Sequence, residues 1–184
     1  PGQAHARRGV GVLRGHRDGD AVRRGSASCL KTASSRGEFR AFFAYHDALM
    51  EKNTGLTKAE REMIVVATSG LNRCQYCVIA HGAVLRIRAK DPLIADQLAI
   101  NWRKANLSDR HWAMLQFAEL VAMDADSITE DDHLDMAEAG FSADEIWDIG
   151  AIAAFFGMSN RLVNMAEIPP NEEFYMMGRV PKGV

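Results

Sequence analysis

No apolar run in the chain approaches the roughly 20 residues of a membrane-spanning helix, so no membrane partner is expected. No stretch alternates apolar and polar residues with the period of a strand, and that absence points to an all-α architecture. Cysteine is scarce. Cys29, Cys74 and Cys77 are too few for a disulfide framework, and the chain reads as a protein of the reducing cytoplasm. A four-ligand zinc site lacks a second C-x-x-C or an H-x-x-x-H, and Cys29, His46, His111 or His133 would have to complete it from afar. Val78 rather than His follows Cys77, which excludes covalent haem attachment.

What is present suits one globular domain: 184 residues, 47% apolar and 25% charged, long enough to bury a core. The net charge of −2 hides an uneven distribution. Residues 1–37 carry eight Lys and Arg against Asp18 and Asp20, a net of +6, which leaves the remainder at −8. A basic arm suits nucleic acid or an organelle-targeting signal. Residues 1–36, however, have no aromatic residue and no amphipathic period. They read as a disordered tail that is dispensable for folding, and no nucleic-acid partner is expected. The chain opens on Pro1 rather than Met, which leaves room for a start further upstream.

From Gly37 the pattern becomes helical. Phe39, Phe42, Phe43, Leu49 and Met50 form the apolar face of a first helix. Thr57 with Glu60 makes a capping box for a second, and Gly70 lies near its expected stop. A third helix follows, opened by Asn72 as N-cap and closed at Asp91-Pro92. Residues 92–105 predict a shorter, weaker helix. LTKAEREMIVVA (56–67) and LSDRHWAMLQFA (107–118) align at an offset of 51, which suggests a duplicated helical unit. Thr129 with Asp132, and Ser142 with Glu145, open two more helices. The last, IWDIGAIAAFFGMSNRLVNMA, is apolar nearly all round and belongs in the core or in a subunit interface. The segment from Ile168 onward reads as extended, on the surface or on a neighbouring subunit.

The chemistry gathers in RCQYCVIAHGAVLR (73–86). Cys74, Cys77 and His81 stand at i, i+3 and i+7, within roughly 60° of one another around a helix. Two thiols at a helix start, with an imidazole near, are thiols of lowered pKa. Such a pair does redox chemistry or binds metal, and spacing alone leaves both open. Buried small hydrophobes are the plain alternative for the cysteines, and a satisfied core residue is the alternative for His81. Glu62 sits among Met63, Ile64, Val66 and Ala67, and from spacing alone the solvated rim is its default place.

Glu62, eleven intervening residues and then C-x-x-C-x-x-x-H resemble the signature of the AhpD / carboxymuconolactone decarboxylase-like superfamily, in its peroxidase-related branch. AEREMIVVATSGLNRCQYCVIAHGAVLR, IWDIGAIAAFFGMSNR and PNEEFY carry the resemblance across residues 37–179. It implies an AhpD-like all-helical domain over 37–184, oligomeric, that reduces organic hydroperoxides or hydrogen peroxide through the cysteine pair. By that likeness Glu62 and His81 relay protons, Cys77 attacks the peroxide and Cys74 resolves the intermediate. No metal, haem or other cofactor is implied. The partners are a small-molecule peroxide and an unknown electron donor, an external thiol or lipoyl reductant.

Spacing supports the same order of thiols, because His81 is one turn from Cys77 and two from Cys74. Cys77 is also expected to lie deeper than Cys74, and Cys29 to stay outside the pair. Two features depart from the family. Tyr76 stands where AhpD proper has a histidine, and residues 1–36 do not look like the family's apolar, Pro-containing segment. Decarboxylases of the superfamily lack the cysteine pair, which disfavours lactone decarboxylation. A general dithiol–disulfide oxidoreductase, and a non-enzymatic zinc-binding or redox-sensing module, are the competing readings.

Overall fold

The computed structural model describes residues 35–53 and 55–179, and the expectations for Cys29 and for the arm up to Ser34 fall outside that range. Among the described residues there are eight α-helices and no strand, as the sequence predicts. They are α1 (Ser35–Met50), α2 (Lys58–Leu71), α3 (Gln75–Ala89), α4 (Ile94–Asn101), α5 (Asp109–Met123), α6 (Glu130–Glu138), α7 (Ala143–Met165) and α8 (Glu172–Met176). A 3₁₀ turn (Trp102–Lys104) follows α4 and another (Ala125–Ser127) follows α5. None of these helices is long and apolar enough to cross a membrane.

α2 is the hub, packed on α3, α4, α5 and α7. Its start is set by the expected capping box: the Glu60 N–H donates to Thr57 Oγ1 at 3.1 Å and the Thr57 N–H donates to Glu60 Oε2 at 2.7 Å. Everything from Glu60 to Ser69 is buried. At Gly70 a Cβ would collide with the Ala99 carbonyl oxygen, so only glycine lets α4 approach this closely. The duplicated segments fold as equivalent helices. Ser108 caps α5 by accepting from the His111 N–H, the position that Thr57 and Glu60 hold on α2.

α7 supplies Ile146, Ile149, Ile152, Phe155 and Phe156 to the core behind a capping box of Ser142 and Glu145. Its junction with α2 is ionic. Buried Arg61 donates to Asp148 Oδ2 at 3.0 Å and to the Leu49 carbonyl at 2.7 Å, and Lys52 reaches the same carboxylate at 3.1 Å.

The segment after Ile168 is not extended, in contrast to the sequence reading. It turns through left-handed Glu167 (φ 51°), forms α8 and packs on α3. Buried Arg86 holds it there, donating to the carbonyls of Phe174 and Met177 at 2.8 Å each. Arg179 adds a bidentate pair to Asp96 at 2.6 and 2.9 Å. These partners lie far from the segment in sequence, and no local pattern announces them.

Candidate redox site

The site begins where α2 stops. Asn72 is the C-cap of α2, its N–H turned back to the carbonyls of Thr68 and Gly70, and not the N-cap of α3 that the sequence suggested. Arg73 takes a left-handed conformation (φ 54°) and swings the chain round, and the Cys74 N–H bonds the Ser69 carbonyl at 3.0 Å. Cys74 is therefore itself the N-cap of α3. Its sulfur accepts from the Cys77 N–H at 3.4 Å. A sulfur in that place faces the positive end of the helix.

Cys74 and Cys77 are joined in a disulfide, with their Cα atoms 5.4 Å apart. The expected gradient of depth between them is absent: Cys74 is 0% and Cys77 2% exposed. Cys74 is covered because the α2–α3 turn is tied down from above. Asn72 Nδ2 donates to Asn160 Oδ1 at 3.1 Å, and Asn164 Nδ2 to the Asn72 carbonyl at 3.5 Å, both partners belonging to α7. Gln75 Nε2 meets the Tyr175 hydroxyl of α8 at 3.4 Å.

Glu62 and His81 come together from α2 and α3, with Oε2 and Nδ1 2.7 Å apart. Glu62 is buried, so the solvated place that spacing favoured for it is corrected. A buried carboxylate needs partners, and it has two, for Arg88 Nη1 donates to Oε1 at 3.0 Å. Arg88 in turn donates to Glu51 at 2.9 Å, and Glu51 also pairs with Lys58. The two hydrogen bonds and the cationic partners hold the Glu51 carboxyl below its ordinary range, Lys58 contributing most. A chain of charge thus runs from the interior at Glu62 to the surface at Glu51.

The Glu62 bond occupies His81 Nδ1 and leaves Nε2 for another group. No hydrogen bond joins His81 to either sulfur in this disulfide form, among the described residues. The His81 ring packs edge-on against Phe156, 4.7 Å between centres. His46 of α1 lies 6.1 Å from it.

Arg88 was not among the residues the sequence singled out, and His46 entered there only as a distant ligand that a zinc site would have needed. Arg88 stands at i+7 from His81, on its side of α3, and that offset was the available signal. His46 lies on a helix whose placement no local pattern fixes.

Among the described residues no group of three or more His, Cys, Asp or Glu side chains is disposed to hold a metal ion. A cavity of about 940 Å³ opens elsewhere, between α5, α6 and α7, lined by Phe117, Leu134, Phe141, Trp147 and Phe155 among others. None of Glu62, Cys74, Cys77 and His81 borders it.

Residues 37–119 match the model of the carboxymuconolactone decarboxylase family. Among solved structures the chain is similar to the alkylhydroperoxidase AhpD core of an uncharacterized peroxidase-related protein from Ralstonia eutropha JMP134. The two are 51% identical with a TM-score of 0.79, over 89% of this chain and 92% of the other. An uncharacterized peroxidase-related protein from Silicibacter sp. TM1040 is 32% identical with a TM-score of 0.76, over 87% of this chain and 90% of that one. A protein of unknown function from Agrobacterium tumefaciens, described as a candidate antioxidant defence protein AhpD, shares the fold at 19% identity and a TM-score of 0.65, over 77% of this chain and 97% of the other. No curated protein matches the chain.

Proposed function

The chain belongs to the carboxymuconolactone decarboxylase family, among its AhpD-like peroxidase-related proteins, and from that premise we propose that it is a thiol-dependent peroxidase. The observation that carries the reading is a cysteine pair at the head of α3, joined as a disulfide, on the same helix as a histidine bonded to a buried carboxylate. A decarboxylase has no use for a redox pair. A peroxidase uses both of its states.

In the reduced protein the Cys77 thiolate attacks one oxygen of the peroxide, and the O–O bond breaks. The leaving alkoxide takes a proton from His81, which Glu62 orients through Nδ1. Cys77 is then a sulfenic acid. The Cys74 thiol attacks it, the S–S bond forms, and hydroxide leaves with the Cys74 proton as water. One peroxide and two thiols give an alcohol, water and the disulfide. An external dithiol, a small thiol protein or a lipoyl carrier, returns two electrons and two protons. The thiolate itself is the nucleophile, so the cycle as written calls on no metal or haem. The cytoplasm, where such donors are reduced, is the compartment that suits it.

The test is consumption of tert-butyl hydroperoxide and of hydrogen peroxide by the protein with dithiothreitol, a lipoyl carrier, thioredoxin or glutathione as donor. Cys77→Ser is expected to abolish turnover. Consumption that survives both Cys74→Ser and Cys77→Ser would overturn the reading. Disulfide reduction in a substrate protein without peroxide consumption would assign the pair to general thiol–disulfide exchange.

A further inference from the structure

Building on the relay of Glu62 and His81, we infer that His46 is a second proton-holding group of this site, exchanging protons between His81 and solvent. His46 comes from α1, 35 positions before His81, so its approach to within 6.1 Å is a product of the fold. Both rings pack on Phe156, at 6.1 Å for His46 and 4.7 Å for His81, and His46 also meets Phe155 at 6.2 Å. These apolar rings from α7 set the two imidazoles beside each other.

The hydrogen bonds point the same way. Each ring has Nδ1 committed to a carboxylate, His81 to Glu62 at 2.7 Å and His46 to Asp47 at 3.0 Å. Each therefore keeps Nε2 for proton exchange. A ring separation of 6.1 Å suits transfer through one water hydrogen-bonded to both. Exposure rises outward along the same line: the side chains of Glu62, His81 and His46 are 4%, 18% and 25% exposed. A histidine kept only to fill space would need none of this, and phenylalanine fills the same kind of place at three neighbouring positions, Phe42, Phe155 and Phe156.

The chemistry gives such a group work. When Cys77 becomes a thiolate before peroxide arrives, its proton has to be held nearby, and the departing alkoxide needs one back. His81 alone can hold one. His46 lets His81 equilibrate with solvent between the two events without opening the core. The charged groups bonded to the two rings or to their partners are Asp47 on α1, Glu62 on α2 and Arg88 on α3, while the α7 residues that touch them, Phe155 and Phe156, are uncharged. His46 acts through His81 and does not touch the peroxide in this account.

The experiment is single-turnover oxidation of the pre-reduced full chain by tert-butyl hydroperoxide, followed by loss of free thiol from pH 5 to 9. His46→Phe keeps a ring against Phe155 and Phe156 and removes the nitrogens. It is expected to slow oxidation at pH 7 on the order of tenfold, to alter the pH profile in the range where imidazole titrates, and to leave the peroxide-concentration dependence unchanged. His46→Ala is expected to be slow too, and free imidazole should restore it but not His46→Phe. His46→Gln serves in place of His46→Phe should that variant fail to show the wild-type circular dichroism. A wild-type rate and pH profile in a folded His46→Phe or His46→Gln protein would overturn the inference. His81→Phe separates this from failure of the peroxidase reading. If His81→Phe is inactive while the His46 variants are normal, the relay stands without His46. If His81→Phe is fully active, the relay itself falls.

Discussion

Arg88 holds the carboxylate oxygen of Glu62 that His81 leaves free: Oε1 is 3.0 Å from Nη1, while Oε2 is 2.7 Å from the imidazole. The carboxylate of α2 is thereby clamped between two groups on α3 that are seven positions apart. Its orientation does not depend on His81 alone. Truncation of Arg88 would leave a buried oxygen without its charged donor, which costs about 1–3 kcal/mol. Arg88→Ala is expected to lose that much stability in urea unfolding and to oxidise on the order of tenfold more slowly with peroxide. Arg88→Lys should recover part of the stability and little of the rate, because ammonium cannot reproduce the fork between Glu62 and Glu51. A wild-type rate in Arg88→Ala would show that the clamp is structural only.

The order in which the thiols react is a sharper question now that depth does not separate them. Two influences remain. The helix end favours Cys74, the N-cap, by about 0.3–1 kcal/mol. His81 favours Cys77, which is one turn away. A neighbouring base outweighs a weak dipole term, so Cys77 is expected to be the attacking thiol. With peroxide and a sulfenic-acid trap, Cys74→Ser should accumulate a trapped adduct on Cys77 and Cys77→Ser should stay unlabelled. The opposite pattern would exchange the roles.

Much of the fold could be read from the chain because its signals were local. Thr57 with Glu60, Thr129 with Asp132 and Ser142 with Glu145 are all capping boxes in the structure, and the apolar run of α7 is in the core. The start of α3 was misread for an equally local reason. Asn72 is a good N-cap by residue type, but the left-handed Arg73 moves the boundary two residues on, and Cys74 takes the cap. In the site, Glu62 is buried and in contact with His81 at 2.7 Å, where spacing alone favoured solvent for it. What was not legible came from distant elements: Arg86 gripping α8, and α1 carrying His46 to His81. Such contacts are set by packing, and periodicity within one helix cannot report them.

Acid should act on the start of α7. The N–H and hydroxyl of Ser142, together with Arg110, hold the Glu145 carboxyl below its ordinary value of 4.5, the N–H contributing most. Glu145 is thus more acidic folded than unfolded. Its contribution is complete above about pH 5 and is lost as pH falls through the lowered folded value. Glu145→Gln is expected to melt below the wild type at pH 6, a gap of about 1 kcal/mol in keeping with a capping residue. The gap should close toward pH 3. A constant difference across that range would contradict the account.

One face of α7 carries Trp147, Met158, Leu162 and Met165, which are 74%, 47%, 45% and 69% exposed. Their spacing of i, i+11, i+15 and i+18 is a single helical stripe, and it runs beside the apolar cavity bordered by Leu134 and Phe141. An exposed apolar stripe is where self-association is expected. Light scattering at micromolar concentration is expected to give a mass at least twice that of one chain. Trp147→Arg should shift it toward the monomer without loss of helix. A monomer in the wild type would contradict self-association through this face.

A reductant has to reach the Cys74–Cys77 disulfide. Cys74 and Cys77 are almost wholly covered, yet the proposed cycle readmits an external dithiol at each turn. Something over the pair has to move, and the firmly packed α2 and α7 are poor candidates. α8 is the weaker cover: it has only five residues, none of them buried, and it is tied down by side chains rather than by a core. Its ties are Arg86 to two carbonyls, Arg179 to Asp96, and Tyr175 to Gln75, the residue next to Cys74. Burial already pushes the Arg86 pKa down, with the Arg179 charge adding to the effect, so the guanidinium sits in a place that disfavours its charge. Arg86→Met keeps much of the apolar stem and removes both bonds. It should loosen α8, so that reduction of the disulfide by dithiothreitol is several-fold faster and protease cuts appear between Ile168 and Arg179. Helix content should barely change. If reduction is no faster although the segment has become cleavable, the reductant enters by another side of the pair, and α8 only buttresses α3.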